Sequence, residues 1–524
     1  MIVDFRSLSD GAGVEADLCI IGAGPAGITI AREFIGTGVQ VCLLESGGEE
    51  PTEETQDLCA GEISGLPYFD LDATRIRALG GTSYHWTGRC GPMLPIEFED
   101  RAWVPHGGWP ITRAELEPFY RKAHDICDLG DYSYGVENWR NLGFPEPQFS
   151  PEKVEPRFWR ISPPTRFGPK YRRAFEQAGN ISVFLNATVT NIQAARDANK
   201  IGHIDVLTLD GKSGQVKAKA FVLACGGMDN PRLMLVSNGV EPGGLGNRND
   251  LVGRFFMGHL TDKCAEIVPI DAAKLALMFG KNRTGPVITY PGLCPTERLQ
   301  REQRILSCGM FITHIPDANT SIGAAKALVG DIKHGRMPDD LAAKLWRILS
   351  DLDTLGPAAY KRLVKGQAIT AGITSMYMTS RQEQAPNPDS RITLIPERDA
   401  VGMNRIRLNW QVTELEKYSA RTVTQAIANE LGRLNLGRIR IPDWLAAGGK
   451  DWTPELRGGN HHMGTTRMAD SPKKGVVDRN CQVHGIENMY VAGSSVFSTS
   501  GYMNPTMTIV ALSLRLAGHL KTLF

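Results

Sequence analysis

The 524-residue sequence has no run of 18 or more apolar residues, and Met1–Arg6 lacks the basic start and long apolar stretch of a secretory leader. Neither a transmembrane segment nor export is expected, and a cytoplasmic location follows. Charge of one sign is missing too. Lys plus Arg is 58 and Asp plus Glu is 57, a net +1, so no overall field draws the chain to nucleic acid or to an anionic membrane. The ten cysteines include no C-x-x-C pair, which excludes the common zinc, dithiol and haem-attachment patterns, and buried thiols are the expected state. No histidine spacing suggests a metal site, so none is expected. Internal repeats and low-complexity tracts are absent as well.

Glycine is in excess: 56 residues, about 11% against a usual ~7%. The first cluster follows an apolar run of strand length, Asp17–Ile21. It reads Gly22-Ala23-Gly24-Pro25-Ala26-Gly27 and leads into the helix-like Ile28–Phe34. In such a strand, G-x-G-x-x-G, helix unit, Gly22 permits a tight turn. Gly24 lets backbone approach a pyrophosphate, and Gly27 lets helix and strand pack closely. A second strand, Val39–Leu44, ends in Glu45, 18 residues after Gly27 and near the ~20 expected of a carboxylate that accepts ribose hydroxyls. Dinucleotide binding follows, with NAD and FAD equally compatible with this segment alone.

Three further blocks are glycine-punctuated: Arg77–Gly88 with Gly80-Gly81-Thr82-Ser83-Tyr84-His85-Trp86, the block Gly458–Gly464, and a C-terminal stretch in which Met489–Ala492 precedes Gly493 and Gly501–Thr506 opens a helix. Together the four ordered motifs resemble the glucose-methanol-choline (GMC) family of FAD-dependent oxidoreductases, over residues of about 15–110, 180–260 and 385–524. The Gly80–Trp86 stretch and His461-His462-Met463-Gly464-Thr465-Thr466-Arg467-Met468 are most similar to its sugar-oxidising branch, which includes pyranose oxidases and glycoside 3-oxidases or 3-dehydrogenases.

The resemblance implies an α/β fold. A Rossmann-like FAD-binding domain, a parallel sheet with helices, would comprise residues 1–95, 165–258 and 455–524. A substrate domain with an antiparallel sheet flanked by helices would comprise 96–164 and 259–454. The alternation in Ser390–Leu394 and Arg405–Trp410 predicts a β-hairpin. Residues 320–365 have no counterpart in the family pattern and are expected to form a helical insertion with a packed apolar face; a lid, a partner-docking pair and a membrane-surface patch are the other readings.

The implied cofactor is FAD, contacted by Gly22, Gly24, Gly27, Glu45, Gly81, Thr82, His85, Val189, Gly493, Pro505 and Thr506. His85 aligns with a histidine that bonds covalently to the flavin in pyranose oxidases; attachment and simple hydrogen bonding near the flavin are the two alternatives. Oxidising an alcohol requires a base for the hydroxyl proton, and an imidazole with its ordinary pKa of about 6.5 suits that task. His461 occupies the catalytic position of the family's H-x-x-G-T signature. Its neighbour His462 should face away, because adjacent residues of an extended loop point oppositely. Asn504 stands where family members carry a second histidine or an asparagine. Its amide can donate to the substrate oxygen and so joins His461 as a catalytic candidate, although it cannot act as a base, and the helix expected to begin at Pro505 makes it an N-cap candidate as well.

The expected activity is oxidation of a secondary hydroxyl of a pyranose or glycoside, at C3 in the glycoside-oxidising relatives, with hydride passing to flavin N5. O2 or an external acceptor would reoxidise the flavin. Other readings are a GMC oxidoreductase for non-sugar alcohols, a non-redox FAD-containing lyase, a flavoprotein assembly subunit and, least of all, an NAD-only dehydrogenase. A homo-oligomer or a partner subunit is compatible with all of them. Arg89, Gln384 and Asp389 are wall candidates by position alone, with surface or ion-pair roles the ordinary reading. His259 is the least bland of the other histidines. The near-zero net charge fits a neutral, polyhydroxylated substrate.

Overall fold

In a computed structural model, the chain is described at every residue except 164, 318, 334–336, 339, 447–451 and 453–455. One eight-stranded sheet carries the N- and C-terminal parts. Its order is Ile2–Asp4, Ile181–Leu185, Val41–Leu44, Ala12–Ile21, Ser213–Leu223, Ile201–Leu207 and Thr188–Ala194, with Met489–Val491 also paired to Ser213–Leu223. The strands from Ile2–Asp4 through Ser213–Leu223, and Met489–Val491, pair in parallel; the Ile201–Leu207 and Thr188–Ala194 strands add an antiparallel flank. The central strands are buried on both faces, which explains why Leu18–Ile21 and Val41–Leu44 read as continuous apolar runs rather than alternating ones.

The second sheet has ten strands. Gly437–Arg440, Lys263–Pro269, Ile373–Gln382, Cys308–Pro316, Val287–Pro295, Val154–Ile161 and Arg89–Cys90 are antiparallel neighbours. The helix Glu414–Arg433 lays Ala420, Val423, Ile427 and Leu431 against Cys264, Ile267, Met310 and Met376 of this sheet. Its start is a capping box between Thr413 and Glu416. The two sheets supply the expected α/β architecture.

The hairpin of Arg391–Arg398 and Asn404–Trp410 forms, but its sheet is mixed rather than purely antiparallel, because Gly61–Gly65 joins Asn404–Trp410 in parallel. Packing also crosses the division at residue 95. Arg89–Cys90 lies in the ten-stranded sheet, and the helix Arg113–Ile126 packs on the C-terminal helix Thr506–Leu520, which also contacts Pro25–Glu33. The insertion is three helices, Ser321–Lys333, Leu341–Leu349 and Leu352–Leu363. Its expected packed apolar face does not hold for the middle helix, which buries no residue and exposes Leu341, Leu345, Trp346 and Leu349. The first helix contacts the other two and buries Ile322 and Ala324, and the third buries Ala358. Four residues of the 320–365 stretch lie outside the described residues.

Among the described residues no helix is long and apolar enough to cross a membrane. All ten cysteines are unpaired, and all except the half-buried Cys225 are buried.

Gly27 shows why the first glycine motif is needed for the fold itself. A Cβ there would collide with the Gly22 carbonyl, which is backbone and cannot swing aside. Gly27→Ala should therefore force the helix off the strand, lowering the melting temperature by several degrees and the flavin bound per chain, both read on purified protein; overpacking of this kind costs about 1–3 kcal/mol.

Candidate active site

A cavity of about 360 Å³ lies between the two sheets. Its wall includes Gly22, Gly24, Glu45, Gly81, Thr82, His85, Val189, Gly493, Pro505 and Thr506 along with His461 and Asn504. Gly27 is not on the wall; it serves the helix–strand contact instead. Gly22 takes φ +104°, and a Cβ on it would stand 2.7 Å from the Ala224 carbonyl. Gly24 caps the helix Pro25–Glu33, with Pro25 in the first turn where no amide is needed. A Cβ on Gly24 or on Gly226 would meet no protein atom within 4 Å, although both residues line the cavity, so a side chain there would enter the space a ligand takes. The second glycine loop rests on the first. Gly80 donates to the Ala23 carbonyl at 2.8 Å, and a Cβ on Gly81 would reach 2.9 Å from Gly24 Cα.

Glu45 is buried, and its carboxylate accepts from the amides of Ala23 and Gly47 at 3.0 Å each. Burial pushes its pKa up to about 7, opposed by those amides and by the charge of Arg77. Nearby, Asp229 takes Arg75 at 2.9 Å and Arg77 at 3.0 Å, and the three positive charges of Arg75, Arg77 and Arg232 hold it down to about 2 against the cost of burial. Sequence reasoning missed this ion cluster, since Arg75 and Asp229 are 154 positions apart and share no motif spacing.

At the other end, backbone contacts fix the loop that carries the histidines. Met463 exchanges amide–carbonyl bonds with Met257 at 2.9 and 3.0 Å, Ser494 Oγ donates to the His462 carbonyl at 2.6 Å, and Thr465 Oγ1 donates to the Gly227 carbonyl at 2.6 Å. The two imidazoles diverge. His462 packs against Tyr68 and Phe256, and burial, with the charge of Arg75, brings its pKa to about 3. His461 instead sits between Asn504, with Nδ2 to Nε2 at 3.1 Å, and His259, with Nδ1 to Nδ1 at 2.9 Å. His259 is fully buried, and its Nε2 lies 3.3 Å from the Ser500 carbonyl.

This chain has one consistent protonation pattern. A carbonyl only accepts, so His259 carries its proton on Nε2; its pKa, lowered by burial to about 4, keeps it neutral and leaves Nδ1 as an acceptor. His461 must then donate from Nδ1, and its Nε2 lone pair is turned toward Asn504 and the cavity. Burial, and with it the charges of Arg381 and Arg89, lowers the pKa of His461 well below the ordinary value, so it is neutral at neutral pH. The Asn504 Oδ1 is buried with no partner among the described residues.

The helix begins at Thr506 rather than Pro505. Pro505 takes the cap position without a side-chain bond, so Asn504 is not the cap: its amide is committed to His461. His85 lies on the wall, its pKa lowered by desolvation and the Arg166 charge. Of the three wall candidates, only Arg89 reaches the cavity. Gln384 is buried elsewhere, accepting from Gly258 at 2.8 Å and Trp410 at 3.0 Å and donating to Gln411, while Asp389 is exposed beside Arg254.

A nucleotide-type turn, an acid on its neighbouring strand and a buried imidazole–amide pair, all on one cavity wall, define an FAD-dependent oxidoreductase acting on CH–OH donors. Two family descriptions match the chain: FAD dependent oxidoreductase over residues 17–241 and GMC oxidoreductase over 386–513. The C-terminal part of the chain thus matches the GMC oxidoreductases and the N-terminal part the FAD-dependent oxidoreductases. Among curated relatives, the fructose dehydrogenase large subunit of Gluconobacter japonicus is 25% identical, covering 96% of this chain and 97% of its own. The 2-methyl-1,2-propanediol dehydrogenase of Mycolicibacterium austroafricanum is 24% identical, covering 97% and 96%. The paromamine 6'-oxidase of Streptomyces fradiae is 23% identical, covering 96% and 90%. A solved formate oxidase shares the fold, with a TM-score of 0.56 over 98% of this chain and 99% of that one at 16% identity.

The wall residues fit FAD. Glu45 offers a carboxylate for ribose hydroxyls, and the open glycine turn offers backbone for a pyrophosphate. Because Glu45 must ionise to accept fully, FAD affinity of the apoprotein should rise between about pH 6 and 8, as protons leave a group whose folded pKa is about 7. Glu45→Gln should flatten that rise, measured by flavin fluorescence quenching across the range.

Proposed function

We propose that the protein oxidises a secondary hydroxyl of a pyranose sugar or glycoside, with C3 the expected carbon, to a keto-sugar, using His461 as the base. The observation that carries the base assignment is the directed chain from the Ser500 carbonyl through His259 to His461, which puts the proton of His461 on Nδ1 and leaves Nε2 the unprotonated nitrogen, held by the Asn504 amide until a substrate hydroxyl takes that amide's place. The chemistry that FAD supplies when bound is acceptance of the carbon-bound hydrogen as hydride.

The protein's own part is proton handling and orientation. His461 Nε2 takes the hydroxyl proton, and the resulting imidazolium keeps its Nδ1–H on His259. Asn504 has a second amide hydrogen for the substrate oxygen and an unpartnered Oδ1 for a neighbouring hydroxyl. The two arginines beside His461 lower its basicity but hold the oxyanion form of the substrate by the same charge. The sugar reading is supported by relatives named for fructose and for paromamine; the relative named for a propanediol favours a non-sugar alcohol as the second reading. O2 or an external acceptor would reoxidise the cofactor, in the cytoplasm.

Anaerobic mixing of holoenzyme with sugars and O-glycosides should bleach the flavin, whereas simple diols should not; the reverse result would replace the sugar reading with the alcohol one, and no bleaching by either would point to a lyase. His461→Ala should slow bleaching by about 10²–10⁴-fold while leaving FAD bound, and an undiminished rate would remove its assignment as base.

His259→Leu tests the positioning role. With the acceptor for Nδ1 gone, both tautomers of His461 become populated, and the limiting bleaching rate should fall by about tenfold at little cost in half-saturating substrate. His259→Asn, which restores an acceptor, should recover part of that loss.

A further inference from the structure

Seven charged side chains line the cavity, and they are not evenly matched. Glu45 and Asp229 are its acids; Arg75, Arg77, Arg232, Arg89 and Arg381 are its cations. Arg75 and Arg77 share Asp229, and Arg232 has Asp399 at 2.6 Å. Arg89 and Arg381 have no carboxylate partner among the described residues. The Nε of each is buried and without a hydrogen-bond partner. Arg381 donates to Thr261 Oγ1, and Arg89 lies over the rings of Tyr290 and Phe311 at 5.6 and 5.9 Å. These are weak substitutes for an anion, since a charge drawn out of water is best offset by an opposite one.

The two guanidiniums also repel each other. Burial, and then the neighbouring charge of Arg89, brings the pKa of Arg381 down to about 10. Arg381 bonds Thr261, two residues after the His259 that bonds His461, and Arg89 lies over Phe311 of the strand paired with the one that carries Arg381. The unmatched pair is therefore at the imidazole end of the cavity, away from the glycine turn where a pyrophosphate would supply negative charge. A planar five-donor fork with free N–H groups is suited to a carboxylate or a phosphate.

We propose that Arg89 and Arg381 form an anion-binding subsite beside His461, and that the alcohol oxidised here carries an anionic group, a carboxylate as in a uronic acid or a phosphate ester as in a sugar phosphate. This rests on the sugar reading of the site and narrows it: the net charge of +1 for the whole chain says nothing about a local excess of two cations. The hydroxyl oxidised would be the one that the anchored anion presents to His461 and Asn504.

The test compares matched probes on the holoenzyme: methyl glucoside, methyl glucuronide and glucose 6-phosphate in anaerobic flavin bleaching, with acetate and inorganic phosphate titrated separately against the flavin spectrum and by calorimetry. At least one acidic sugar should half-saturate at a concentration lower by about tenfold or more than the neutral glycoside. Whichever acid wins identifies the source of the anion. Arg89→Met and Arg381→Met should each cut the acid-to-neutral preference by about tenfold and weaken binding of the preferred small anion, and Arg→Lys should restore part of both.

Equal or better bleaching by the neutral glycoside, with neither small anion bound, overturns the proposal while leaving sugar oxidation intact. Variants that lose neutral and acidic substrates in equal proportion overturn it as well, because the arginines would then serve the reacting oxygen alone. If no sugar of either kind bleaches the flavin, sugar oxidation fails by itself, and the small-anion titration still decides the subsite. The wild-type comparison stands even if a Met variant does not fold.

Discussion

The structure depends on backbone coming closer to backbone than side chains allow. Gly81 lies on Gly24, Gly22 on Ala224, and Gly227 on the His462 carbonyl, so the strand turn, the second glycine loop, the Cys225–Gly227 turn and the histidine loop converge on one cavity. A Cβ at any of these would separate two segments that must touch. Hydrogen bonds then lock the convergence. Asn230 accepts from Cys225 and donates to the Ala492 carbonyl and Ser495 Oγ, joining the middle of the chain to its end. The glycine excess is in part the consequence of that close approach.

Electrostatics divides the cavity into two ends with different logic. Around Asp229 each guanidinium has a carboxylate, so burial of charge is compensated inside the protein. Around His461 it is not, and the uncompensated positive charge has two effects at once. It adds to burial in keeping the imidazole neutral, and it favours negative charge on whatever binds there. In the proposed function such a site would remove a proton rather than deliver one.

The second sheet matters to function by what its strands present. Arg381 comes from Ile373–Gln382, Arg89 from the short strand Arg89–Cys90, and His259 from the residue before Leu260–Thr261. The nucleotide-binding half supplies Glu45 and the turn; Asn504 comes from the approach to the C-terminal helix. The cavity is thus lined from both sheets and from the loops between them, and the packing of Arg113–Ile126 on Thr506–Leu520 ties the two halves together.

Much of this was legible in the sequence wherever it is encoded locally. The strand–turn–helix around Gly22–Gly27 needs only adjacent residues, as does the spacing to Glu45, and the hairpin of 391–410 follows from alternation. The ordering of glycine motifs was enough to indicate a flavin enzyme. What sequence could not determine is what depends on distant groups meeting. Asn504 is expected from the sequence both to act beside His461 and to cap the helix after Pro505, and only the fold decides between the two, because its amide is drawn to the imidazole 43 positions away. His259 carried no motif, and only its burial against Ser500 and His461 makes it the residue that sets a tautomer. That Arg89 and Arg381 pair with no carboxylate among the described residues is likewise invisible in a balanced composition of 58 and 57, because a charge count adds residues up and only the fold decides which of them are neighbours.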